Sequence, residues 1–268
     1  MSQETLVTPV VPQISVRWRG RYMLERGALT TKAWWPVLAS GFFEPVFYLF
    51  AVGVGVGALV GDIALSDGSE VSYTAFVAPA MLAASAMNGA VFEGTNMFFK
   101  LKYGKIYDGI LATPMRPVDV ASGEVAWSLL RGAIYSAAFL IVMTVMGLIE
   151  SWWGLLALPA ALLIGFAFAS VGTAAATYMR TWQDLDLITL FTLPLFLFSA
   201  TFYPIDVYPQ AIQYLTWLSP LFHGVRLVRG LTLGILDWTM LINVAFLATM
   251  GAIGAVVTAR RVGALLLK

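Results

Sequence analysis

Six apolar stretches, each of bilayer-spanning length as helix, dominate this sequence: roughly Pro36–Val60, Tyr73–Phe99, Val120–Leu148, Trp152–Met179, Leu187–Tyr203 and Trp238–Ala259. A helix rises about 1.5 Å per residue, so about 20 apolar residues match the hydrocarbon core. Hydrocarbon offers no partner to a backbone N–H or C=O, so such stretches must satisfy their hydrogen bonds internally, as helices. The expected fold class is therefore an all-α integral membrane protein with six transmembrane helices. Composition supports this: 59% of residues are hydrophobic and 12% are charged, about half the charge of a soluble domain.

The charges between the stretches set the orientation. Arg17, Arg19, Arg21, Arg26 and Lys32 precede the first stretch, and Lys100, Lys102, Lys105 and Arg116 follow the second. Arg180 follows the fourth, while Arg260, Arg261 and Lys268 end the chain. The alternate gaps carry Asp62, Asp67 and Glu70, then Glu150, without Lys or Arg. By the positive-inside rule both termini are cytoplasmic. The first apolar run is too long for a signal-peptide core and lacks a small-residue cleavage site, so it is expected to stay as an anchor. Residues 1–12 are expected to be disordered, 13–33 to form an interfacial helix and 34–268 to form the six-helix domain. In the interfacial segment Ile14, Trp18, Tyr22 and Leu29 fall within about 80° at helical spacing, flanked by arginines that can reach headgroups. A basic leader that only fixes topology is the alternative.

Much chemistry is excluded. The chain has no cysteine and one histidine, His223, which removes thiol chemistry and makes a histidine-built metal site improbable. No phosphate-binding G-x-x-x-x-G-K-[ST] loop, H-E-x-x-H or G-x-S-x-G occurs. No cofactor and no enzymatic activity are expected of this chain by itself. Gly53, Gly55 and Gly57 superficially resemble an ion filter, but Gly53, Gly57 and Gly61 have the small-xxx-small spacing of close helix packing, as do Gly165 and Ala169.

Four ionisable residues lie within the spans: Glu44, Glu93, Glu124 and Arg131. Each costs a few kcal/mol in mid-bilayer unless paired or hydrated. Glu124 and Arg131 are seven residues apart, on one face of the third span and about 10 Å apart along it. An internal polar network results. It either locks helix register or serves substrate or gating directly; both readings stand.

Two gaps are too long for turns. Tyr103, Gly104, Lys105, Ile106, Tyr107, Asp108, Gly109, Ile110 and Leu111 read as a short amphipathic cytoplasmic helix. Its apolar stripe at Ile106, Ile110 and Leu111 would meet another protein or rest on lipid. Between Tyr203–Pro204 and Asp237, two short apolar helices broken at Ser219–Pro220 suit a re-entrant external hairpin. That hairpin would carry Arg226 and Arg229 to outer headgroups or a polar conduit, with His223 in a surface or capping role.

These features together resemble the compact permeases of bacterial ATP-binding-cassette exporters. Several strings resemble the nodulation-type lipo-oligosaccharide export permeases more closely: SGFFEPVFYL, FVAPAMLAASAMNGAVFE, KLKYGKIYDGILATPM, ATYMRTWQDLDL, FLFSATFYPIDVYP and SPLFHGVRLVRGL. The likeness runs from about Arg17 to Arg261 and is weakest in the first dozen residues and in spans four and six. It implies a half-transporter in the bacterial inner membrane. Two permeases, identical or homologous, would work with two copies of a separate cytoplasmic ATPase that carries ATP and magnesium. It assigns ATPase coupling to Tyr103–Leu111 and places the external hairpin near the exit of the path at the dimer interface.

The function expected is export of an amphipathic molecule such as a lipid-linked saccharide, glycolipid or hydrophobic drug, with no nucleic-acid partner. An ion-coupled secondary transporter using the buried glutamates is the alternative, although no inverted repeat or matched pair of broken helices is evident. A polytopic membrane enzyme is disfavoured by the missing catalytic motifs.

Overall fold

The computed structural model describes residues 19–32, 43, 45–64, 68 and 70–266. Glu44, Ile14, Arg17, Trp18, Asp67 and Lys268 lie outside the described residues, as do all of 1–12. Among the described residues, four helical segments are long and apolar enough to cross a membrane. They are α3 (Tyr73–Lys102), α5 (Pro117–Val145), the segment Trp152–Ala176 and α10 (Thr239–Leu266). In the third, a 3-10 turn over Trp152–Leu156 leads into α6 (Ala157–Ala176). The shorter apolar helix α2 (Pro45–Val60) is π-helical from Leu49 to Val56.

The expected fifth span, Leu187–Tyr203, is a shorter helix in another register. α7 runs Asp184–Leu197, 14 residues, which rise only about 21 Å against a core of about 30 Å. It stops because side chains take its last carbonyls: Ser199 donates to Leu195 O and Thr201 to Phe196 O. Ala200 between them holds φ at +54°, outside the helical region.

The expectation of a purely helical chain needs one amendment. β1 (Asp62–Ala64) and β2 (Glu70–Ser72) pair antiparallel with Ile63 opposite Val71, forming a short ribbon between α2 and α3. Gly61 turns the chain into this ribbon at φ +76°, with nothing within 4 Å of where its Cβ would stand. Its role is therefore the turn and not the packing that its spacing suggested. Gly53 and Gly57 do pack: a Cβ on either would stand 3.3 Å from the Thr74 side chain, and Thr74 donates to Gly53 O at 2.7 Å.

α3 is the central post of the bundle, buried among α2, α5, α6 and α9 (Pro220–Leu233). Small residues allow this crowding. A Cβ at Gly94 would stand 3.0 Å from Thr173 N and 3.2 Å from Ala169 O, both α6 backbone atoms. Gly165 meets Leu129 of α5 and Ala169 is fully buried, as their spacing predicted.

At one end of the bundle, Met97, Phe98, Val120, Ala176, Met179 and Val262 form a separate apolar cluster with Met23 and Tyr107. The segments predicted cytoplasmic therefore converge. The segments predicted external also meet, since Glu150 N donates to Thr232 O at 3.0 Å and Arg229 reaches Phe76 O.

α1 (Arg21–Lys32) lies against this first end. Tyr22 and Leu29 of the expected stripe are exposed, Leu29 to 74%. A second face was not anticipated: Met23 and Gly27 seat on Gly123 and Trp127 of α5. α1 is thus fastened to protein as well as available to lipid.

Candidate coupling and transport site

The third and fifth helices run antiparallel, and each carries opposite charges seven residues apart. On α3 these are Glu93 and Lys100; on α5 they are Glu124 and Arg131. Antiparallel packing sets each carboxylate opposite the other helix's cation. Lys100 Nζ lies 2.7 Å from Glu124 Oε2 and 3.3 Å from Glu93 Oε1. About two turns deeper, Arg131 Nη1 lies 2.5 Å from Glu93 Oε2. Both carboxylates are buried, Glu93 at 4% and Glu124 at 2% exposure.

The sequence reading grouped Glu44, which lies outside the described residues, with Glu93, Glu124 and Arg131 as a network and assigned Lys100 to the cytoplasmic gap. Lys100 instead belongs to the last turn of α3 and folds back along it. The signal was available, because Glu93 and Lys100 repeat the seven-residue spacing of Glu124 and Arg131. Long lysine stems carry the ammonium several ångströms from the backbone, so position in a gap does not fix where the charge sits.

A further member comes from the helix predicted to be cytoplasmic. α4 (Ile106–Leu111) is six residues long. Tyr107 is 1% exposed and its hydroxyl donates to Glu124 Oε1 at 2.7 Å. Ile110 and Leu111 pack on the same apolar cluster. The predicted apolar stripe therefore faces the chain's own bundle, where the sequence reading turned it toward another protein. Tyr103, Gly104, Lys105, Asp108 and Gly109 form the exposed side, and Ile106 is half-buried.

Beside the deeper rung lies a cavity of about 720 Å³ between α2, α3, α5 and α7. Its wall includes Tyr48, Ser85, Asn88, Phe92, Arg131 and Phe196. Arg131 Nε donates to Tyr135 OH at 3.2 Å, and the guanidinium lies 5.2 Å from the Phe92 ring centre. Ser85 Oγ is buried without a hydrogen-bond partner. The lining combines aromatic faces with hydroxyls and amides around one paired cation, so it can hold a molecule with both polar and apolar parts.

The segment predicted to form an external hairpin breaks at Ser219–Pro220, into α8 (Gln210–Leu218) and α9. Ser219 accepts from Phe222 N and Pro220 opens α9. Tyr203 and Pro204 lie at the approach to the hairpin. Both of its arginines find partners within the protein. Arg226 pairs with Asp237 at 3.3 Å and lies over Trp217. Arg229 donates to Phe76 O at 3.1 Å and Ala200 O at 2.8 Å, its guanidinium 3.7 Å from the Phe76 ring centre. Two carbonyls and a ring thus absorb a buried charge, explaining how the hairpin carries arginines on the side the charge rule leaves bare. Asp237 also accepts from the Thr239 hydroxyl and backbone N–H, which hold its carboxyl below the usual carboxylate range.

Of the surface or capping role expected for His223, the surface part does not hold, since the residue is buried. Its bond to Trp217 O in the last turn of α8 is a capping contact. Its Nδ1 is 2.7 Å from Asn243 Oδ1, its Nε2 is 3.0 Å from Trp217 O, and its ring stacks 4.2 Å from Phe246. It ties α9 to α10. Among the described residues no group of three or more His, Cys, Asp or Glu side chains could hold a metal.

The whole arrangement can be set beside known proteins. A family model described as ABC-2 type transporter matches residues 20–233. The chain belongs to the ABC-2 type transporter family. Nodulation protein J of Rhizobium leguminosarum bv. trifolii is 33% identical over 220 residues, covering 81% of this chain and 80% of the relative. Nodulation protein J of Sinorhizobium fredii is 33% identical over 216 residues, covering 79% and 78%. The inner membrane transport permease YadH of Escherichia coli is 23% identical over 213 residues, covering 77% and 79%. This ABC-2 chain is therefore a multi-pass membrane permease, and Phe76–Glu93 and Lys100–Met115, strings that carried the resemblance, supply part of the cavity wall and Glu93, Lys100 and Tyr107 of the charge chain.

Proposed function

We propose that this chain is the membrane-spanning subunit of an exporter that moves an amphipathic molecule out of the cytoplasm or inner leaflet. A separate cytoplasmic ATPase, in two copies, drives it. The observation that carries the reading is a large mixed-polarity cavity joined by ion pairs to a cytoplasmic helix with a free polar face. A second permease, identical or homologous, would meet the chain along α7, none of whose residues is buried. Against an ion-coupled transporter, both buried glutamates among the described residues are already matched by Lys100 and Arg131.

The ATPase is proposed to dock on the exposed side of α4. Gly109 allows a clean test, since a Cβ there would meet nothing within 4 Å in the permease. Gly109→Trp is expected to leave the permease folded and inserted, and replacing a helical glycine gains helix propensity. The same bulk would block a partner and abolish ATPase capture from membranes that express both. Full capture by Gly109→Trp would place the ATPase elsewhere.

The six-span topology, with both termini cytoplasmic, is tested by reporter fusions. Fusions at Gly61 and Ser151 are expected to read outside, and those at Gly104, Gln183 and Lys268 inside. A C-terminal fusion reading outside would overturn the span count.

A further inference from the structure

Resting on the exporter reading above, we propose that Tyr107 is a positioning residue for transport. It latches α4 to the ion-pair chain, so that movement of α4 resets the cavity wall at Arg131.

The hydrogen bonds form one unbroken line. Tyr107 donates to Glu124 Oε1, and Lys100 donates to Glu124 Oε2. Lys100 also reaches Glu93 Oε1, while Arg131 and Asn96 donate to Glu93 Oε2. All four carboxylate oxygens are thus engaged, and no single donor serves both oxygens of one glutamate. In a buried setting an oxygen that loses its donor bears a large desolvation cost. Withdrawing the Tyr107 hydroxyl therefore forces Glu124 and Lys100 to rearrange, and Lys100 passes the change to Glu93. Arg131, Asn96 and Phe92 at the far end all line the cavity.

The near end is built to move. Lys105, joining α3 to α4, holds φ at +45°, a left-handed conformation that residues other than glycine seldom adopt. Nothing but a short bend, ended by this strained residue, separates α4 from the post helix. The exposed side of α4 carries Tyr103, Lys105, Asp108 and Gly109, whereas Tyr107 points the opposite way. A push on one side is thus delivered to the phenol on the other. A lock that only held register would not need to include the cytoplasmic helix.

Because the chain has no cysteine, Thr189→Cys on the cavity wall supplies a unique permease thiol. The permease is purified with its ATPase in vesicles of Escherichia coli lipid, and the rate of maleimide labelling at position 189 is measured with and without ATP and vanadate. Trapping is expected to change that rate. In Tyr107→Phe, which removes one oxygen, the complex is expected to form and hydrolyse ATP while the labelling response falls about tenfold, the scale of one charge-assisted hydrogen bond. Arg131→Lys combined with Tyr107→Phe is expected to reduce the response no further than the stronger single change, since one line is cut twice. Should Tyr107→Phe assemble poorly, Glu124→Met removes the oxygen that accepts from Tyr107 and is expected to behave alike.

A full response in Tyr107→Phe, additive losses in the pair, or no response in the parent complex would each overturn the proposal while leaving the exporter reading intact. If no ATPase accompanies the parent permease, the exporter reading fails and this inference falls with it.

Discussion

Lys100→Met is expected to be the most damaging single change in the polar network. Lys100 serves two buried carboxylates, and its removal leaves Glu93 and Glu124 with Arg131 as the remaining cation of this network among the described residues. Breaking a buried pair by deleting one partner costs about 3–5 kcal/mol, because the remaining charge stays desolvated and unmatched. Methionine keeps most of the side chain's bulk, so the loss reports charge and not packing. The readout is the thermal midpoint and monodisperse yield in detergent. Adding Glu124→Gln to Lys100→Met is expected to recover part of the loss by removing the orphaned charge. Arg131→Ala is expected to lower yield and transport as well, and Arg131→Lys to be milder because it keeps the charge while losing the fork to Tyr135. A Lys100→Met protein as stable as the parent would mean that Lys100 faces water and the carboxylates are hydrated.

Gly94→Leu is expected to be comparably severe for a different reason. The first carbon of any side chain at 94 already stands 3.0 Å from Thr173 N and 3.2 Å from Ala169 O. These are backbone atoms of a fully packed helix and cannot rotate away as a side-chain tip can. Even one extra methylene in a tight core costs about 1–3 kcal/mol, and leucine adds four carbons at the crossing of the two most buried membrane-length segments. Separation of α3 from α6 would appear as loss of folded protein in the membrane. Gly263→Leu on α10, where nothing lies within 4 Å, is the matched control and is expected to be neutral. Equal behaviour of the two variants would show that the α3–α6 crossing is looser than described.

Much of this architecture was legible from one dimension, because a bilayer allows so few solutions. Apolar length and backbone self-satisfaction dictate helices, and charge placement separates the two ends of the bundle. The break at Ser219–Pro220 was legible because its chemistry is local: a hydroxyl caps and a proline opens the next helix. The small-xxx-small pair Gly165 and Ala169 was legible because close approach depends on residue size alone.

What periodicity could not reveal was which face met protein and which met lipid, since both are apolar. Ile110 and Leu111 therefore turned inward where the sequence suggested a surface for another protein or for lipid. The length of α7 depended on hydroxyls of Ser199 and Thr201 capturing carbonyls that a hydropathy count ignores. Partner choice among charges was decided only by the bundle. Antiparallel packing of α3 and α5 put Lys100 opposite Glu124, and the fold of α4 brought Tyr107 to the same carboxylate. Arg229 found two carbonyls and an aromatic ring from segments far away in sequence. The sequence by itself determined a helical membrane protein, the placement of its charges and the family likeness. Only the tertiary structure decided how those charges are shared, because pairing energies fall with distance and depend on burial, and neither is written along a single chain.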